Sequence, residues 1–174
     1  MEVHWIIVLA TLLPMWFLQN IIHELSHGIA LSVGWKWKFK IFPFPSKRLG
    51  YFTFAHVTYT ATKGSLVPSN AGRGLTSGMP KLINMMFLTF ATLLAMLLKN
   101  YLIASLLLMQ FAVMNFVDYS YGMLAVFKSK PSKADLWHVQ KYLGIPTKYL
   151  RTFAIFSIIY FAFVLSAGFV AIFV

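Results

Sequence analysis

Cysteine is absent from this 174-residue chain, which excludes disulfides and thiolate metal sites and leaves the compartment unreadable from redox chemistry. Acid is scarce as well: Glu2, Glu24, Asp118 and Asp135 are the four carboxylate side chains, against 15 Lys and Arg. Charged residues make up 11% of the chain, where a soluble domain has about 25%. There is no polar low-complexity tail, internal repeat or long linker. The first residues, MEVHWIIVLATLLPMWF, lack the basic stretch and small-residue cleavage site of a signal peptide and read as a retained helix. What is present is apolar, 59% hydrophobic and 17% aromatic. These features describe an integral protein of the lipid bilayer, built as a single domain over residues 1–174.

Four segments are suited to cross a hydrocarbon core, each crossing needing about 20 residues. They are residues 3–33, with Pro14 as an expected kink, then 80–98, 101–127 and 149–173. Only Lys99 and Asn100 separate the second from the third, so those two form a tight pair. Lys36, Lys38, Lys40, Lys47, Arg48, Lys63, Arg73 and Lys81 fall between the first two spans or at their border. Lys128, Lys130, Lys133, Lys141, Lys148 and Arg151 fall between the last two. With four spans both connections share one side, and Lys99 alone lies opposite. Cytoplasmic loops carry the Lys/Arg excess, so both termini are expected on the outer, non-cytoplasmic side. The net charge of +11 is thereby explained by orientation and anionic lipid, and no folded basic domain is left to bind nucleic acid.

The period changes over residues 35–62. KWKFKIF alternates basic with apolar residues, and YFTFAHVTYTAT is aromatic and β-branched. Both patterns read as strands, with PFPSKRLG as the turn, giving a small hairpin or sheet at the membrane surface. Residues 63–78, KGSLVPSNAGRGLTSG, read as a flexible loop. The fold expected is therefore all-α and polytopic, about four transmembrane helices with a β-hairpin between the first and second.

The chemistry lies in NIIHELSHG. His23, Glu24 and His27 form H-E-x-x-H, which on a helix stacks both imidazoles on one face, able to bind one zinc ion. Glu24 then stands beside the metal, placed to take a proton from water. Buried polar residues satisfied by neighbouring helices are the plainer alternative, although ionisable groups within a span are costly and usually functional. A catalytic zinc needs a third protein ligand. Glu2 is at the extreme terminus, Asp135 is in a basic connection, and Asp118 lies inside the third span. At 1.5 Å per residue His27, Asp118 and His23 lie about 9, 13 and 15 Å below the same membrane face, in one layer near the cytoplasm. Asp118 is thus the candidate third ligand, with a helix–helix hydrogen bond or a proton relay as its other roles. Asn115, one turn before it, and Asn84 are candidates for substrate contact or oxyanion stabilisation, or for interhelical hydrogen bonding. Pro80 reads as a helix-start signal, and Gly28 as a site of close packing. His4 and His56 read as interfacial histidines.

These residues resemble the site-2-protease family of intramembrane zinc metalloproteases. HELSHG resembles its metal-binding helix, SGMPKLIN its Gly-x-Pro-x-x-x-Asn element, and Asp118 the aspartate that supplies its third zinc ligand. The similarity covers roughly residues 20–127. Two departures stand out: NFVDYSYGM lacks the family's proline and the glycine directly after the aspartate, and no appended domain is visible, as in a minimal member. The resemblance implies Zn²⁺ held by His23, His27 and Asp118, with Glu24 as general base, and a transmembrane protein as substrate. A helical substrate must unwind to be cut, and the hairpin is expected to capture it as an added strand. The sequence leaves the oligomeric state open; the small size suits a prokaryotic plasma membrane. The alternative is a non-enzymatic zinc-binding or degenerate membrane scaffold that binds a partner helix. A small metal or proton transporter is a third class, disfavoured because the polar residues cluster toward one face.

Overall fold

The computed structural model describes residues 2–31, 35–48, 51–61, 70–127 and 135–173. Helix α1 covers Glu2–Leu31 and is followed by strands β1 (Trp35–Arg48) and β2 (Tyr51–Ala61). Helices α2 (Asn70–Leu97) and α3 (Leu102–Leu124) form the tight pair, and a single 3-10 turn ends α3 at Ala125–Phe127. A short helix α4 (Asp135–Leu143) precedes α5 (Thr147–Phe173). α1, α2, α5 and α3 with its terminal turn are long and apolar enough to cross a membrane. Their outward faces carry large apolar side chains such as Leu9, Phe90, Phe156 and Phe163, each more than half exposed, as lipid contact requires.

α2 is the central element and packs against α1, α3, α4 and α5. The core runs along its inner stripe, where Leu88, Ala91 and Ala95 meet Met109, Ala112 and Tyr119 of α3 and Phe161 and Leu165 of α5. Polar side chains lock α1 to α3 within this apolar body: Thr11 donates to Gln110 Oε1 at 2.7 Å, and Gln110 Nε2 donates to the Val8 carbonyl at 2.9 Å. Such bonds hold membrane helices together where burial alone gives little drive.

The two strands pair antiparallel and pack on α1. The register runs from Trp35 opposite Ala61 to Ile41 opposite Ala55, breaks, and resumes at Ser46 opposite Thr53. Pro43 and Pro45 lie inside the break, where a residue without an N–H cannot join the ladder. PFPSKR was expected as turn; its residues through Arg48 instead extend β1, the irregularity absorbing both prolines.

Two further boundaries differ from the sequence expectation. α2 begins at Asn70, ten residues before Pro80, so residues 70–78 of the expected loop are helical; residues 63–69 of it lie outside the described residues. The connection between the last two spans contains α4, which sequence periodicity over long windows passes over. Leu136 and Val139 are buried on one side of α4, Leu143 meets α2 at Gly74, and Gly144 closes the helix with φ +66°. Its N–H bonds the Gln140 carbonyl at 3.0 Å, a glycine stop in the left-handed region.

Candidate metal centre

Helical spacing sets His23 and His27 one turn apart on α1, with ring centroids 5.3 Å apart and edge to face. Each ring gives its Nδ1 to an acceptor on another helix. His23 Nδ1 lies 2.8 Å from Asp118 Oδ2 of α3, and His27 Nδ1 lies 2.9 Å from the Thr76 carbonyl of α2. A carbonyl has no proton to offer, and Asp118 Oδ2 already accepts from Lys81 and Asn84. Both Nδ1 atoms must therefore carry the hydrogen, which leaves each Nε2 as the nitrogen able to bind a metal. Acceptors on the far ring nitrogen are how proteins hold a ligating histidine in one tautomer and orientation.

Both Nε2 atoms face one carboxylate, Asp135 at the start of α4. His23 Nε2 is 3.3 Å from Asp135 Oδ2 and His27 Nε2 is 3.6 Å from Asp135 Oδ1. The second separation is too long for a hydrogen bond. Both match the edge of a zinc tetrahedron, since ligand bonds of about 2.0–2.2 Å put neighbouring ligand atoms about 3.3–3.6 Å apart. One ligand atom from each of the three residues lies within 4.8 Å of the others. The donor set of two imidazoles and a carboxylate fits zinc. Burial by itself would raise the Asp135 carboxyl, but the hydrogen bond to His23 and the charges of both histidines hold it at about 2, ionised at neutral pH. A proton on His23 Nε2 and a metal ion compete for one lone pair, so metal binding there releases a proton.

Asp118 is organised differently. Its Oδ2 accepts from His23, from Lys81 Nζ at 3.0 Å and from the side-chain amide of Asn84. Lys81 also donates to the Asp118 main-chain carbonyl at 3.1 Å. By its place in the sequence Lys81 groups with the basic connection; in the fold it is 4% exposed and is the buried counter-ion of Asp118. Gly122 makes the room, because a Cβ there would stand 2.2 Å from Lys81 Cε.

Pro80 is inside α2, not at its start, and its chemistry explains the bond to His27. A helical residue at position 80 would donate its N–H to the carbonyl four residues back, which is Thr76. Proline has no N–H, and its ring pushes that carbonyl off the helix axis. The Thr76 oxygen left without a helical donor is the one that accepts from His27. Pro80→Ala restores a competing donor and is expected to weaken zinc binding by roughly 10-fold, the lower range for loss of an outer partner, with the helix intact. Zinc affinity measured by competition with a chelating dye checks this, and unchanged affinity would remove the role given to Pro80.

Glu24, the expected base, is buried at 7% exposure beside the two histidines in sequence and on the same helix. Asn84 and Asn115 are fully buried. The nitrogen of Asn84 is spent on Asp118 and that of Asn115 on the Phe111 carbonyl; both amide oxygens lack a hydrogen-bond partner. The atoms left over are acceptors, suited to a substrate N–H or a water rather than to an oxyanion. The side chains of His4 and His56 lie outside the described residues.

In the structure Asp118 meets His23, Asn84 and Lys81, and Thr76 and Asp135 meet His27; among the described residues Asn115 bonds only within its own helix. The signal for Asp135 was present but faint: an acidic residue opening DLWHVQKYLG, with Leu136, Val139 and Leu143 on one helical face and glycine as the stop. Comparison with protein-family models, with curated proteins and with solved structures gives no match for this chain.

Proposed function

We propose that the protein is an intramembrane zinc metalloprotease that hydrolyses a peptide bond within or next to a transmembrane segment of another membrane protein. The observation that carries this reading is the pairing of both Nδ1 atoms with fixed acceptors while both Nε2 atoms meet at one carboxylate, on the helix that also bears buried Glu24. His23, His27 and an aspartate would hold the metal; zinc, when bound, lowers the pKa of water and polarises a carbonyl. Glu24 takes the proton of the attacking water and returns it to the departing amine. The sheet beside α1 is suited to hold the main chain of an unwound substrate as an added strand. The Lys/Arg asymmetry supports termini outside and a site nearer the cytoplasmic face.

A second reading has its own observation. Lys81, Asp118, His23 and Asp135 form a continuous run of ion pairs that needs no metal to be satisfied. This favours a scaffold that binds a partner helix. The two readings separate on a quenched fluorescent transmembrane peptide in detergent micelles. Cleavage that stops with EDTA and returns with added zinc supports the protease. Cleavage that is indifferent to EDTA, or no zinc in the purified protein, overturns it.

A further inference from the structure

Resting on the reading of the histidine pair as a metal site, we propose that its third ligand is Asp135 of α4, and that Asp118 is a positioning residue acting on His23 through Nδ1. The two aspartates lie on opposite edges of the same ring. Asp118 meets the nitrogen at one edge, at 2.8 Å, and Asp135 meets the nitrogen at the other, at 3.3 Å. An imidazole binds a metal through one nitrogen while the other donates to an outer partner, so one aspartate is a ligand and the other holds the ring. His27 decides which. Its Nδ1 is committed to Thr76, and the acid opposite its Nε2 is Asp135. An ion shared by both histidines therefore lies on the Asp135 side.

The charges agree with this division. Asp118 Oδ2 has three donors, one of them the Lys81 ammonium, so its charge is neutralised within the protein. The ion pairs of Asp135 among the described residues are with the histidines alone. α4 is seated firmly enough to present a ligand. Val139 rests against α2 at Gly78 and Leu143 against Gly74, and this stretch of α2 also carries Thr76. The third ligand would come from the short helix between α3 and α5, not from a membrane span.

The test uses the full chain in detergent, loaded with zinc or with cobalt, whose visible absorption reports tetrahedral coordination. Asp135→Ala and Asp135→Asn are expected to hold little zinc and to lose the tetrahedral cobalt band. Asparagine matches aspartate in size, so this variant keeps the fold. Asp118→Asn keeps an acceptor for His23 and is expected to bind zinc about 10–100-fold more weakly while giving an unchanged cobalt band at saturation. Asp118→Ala, lacking that acceptor, is expected to bind more weakly than Asp118→Asn. Full zinc and an unaltered band in both Asp135 variants, with both lost in Asp118→Asn, would overturn the assignment and leave the metal-site reading standing. No metal in the wild type would overturn that reading, and the assignment with it.

Discussion

Glu24→Gln is expected to slow peptide cleavage by about 10²–10⁴-fold or more, the range associated with loss of a positioned general base. Glutamine matches glutamate in size and retains one oxygen, so the buried position on α1 is filled as before. What it lacks is basicity. Glu24 follows His23 directly and precedes His27 by three residues, so neither ligand nitrogen nor its acceptor on α2 or α3 is touched by the change. Zinc content is therefore expected to stay at the wild-type level while turnover disappears. Cleavage of the quenched peptide at the wild-type rate would place the base elsewhere.

Lys81→Met is expected to destabilise the fold by about 3 kcal/mol, the lower end of the range for breaking a buried pair, because it takes the ammonium from an Asp118 carboxylate that is 23% exposed and keeps its bonds from His23 and Asn84. The size follows from where the pair sits: Lys81 is 4% exposed, its ammonium lies 3.0 Å from Oδ2, and both residues belong to spans. Methionine fills the same volume beside Gly122, so packing is conserved and the loss is electrostatic. Lys81→Met combined with Asp118→Asn removes both charges and is expected to recover most of that stability, since replacing a whole buried pair is far cheaper than breaking one. Thermal unfolding in detergent reads both effects. A single variant as stable as wild type would show that Asp118 is not ionised in the fold.

The four spans and the HELSH motif are legible in the sequence because each is local: a run of apolar residues, or two histidines one helical turn apart. The meeting of His23 with Asp118 is legible at one remove, because charge asymmetry fixes the alternation of the spans and the rise per residue then gives depth. Three features are not legible in this way. Lys81 looks like one more basic residue at a loop border, and only the α2–α3 contact shows that it is enclosed. Pro80 looks like a helix start, since the signal for a first-turn proline and for an interior one is the same; Gly72, Gly74 and Gly78 upstream deepen that impression. Asp135 lies in a connection crowded with lysines, and α4, at nine residues, is too short to attract notice as a span. Its packing on α2, a tertiary contact, brings it over the histidines.

The most direct test of the central claim, that the histidines of α1 hold a catalytic metal, is the zinc content of the purified full-length chain, beside His23→Ala and His27→Ala, after expression with zinc supplied. The expected result is about one zinc per wild-type chain, as a single site with two histidines and a carboxylate requires, and close to none in either variant. A wild-type protein that is folded, monodisperse and free of zinc would contradict it, and would leave the ion pairs from Lys81 to Asp135 as a structural pairing within a partner-binding scaffold.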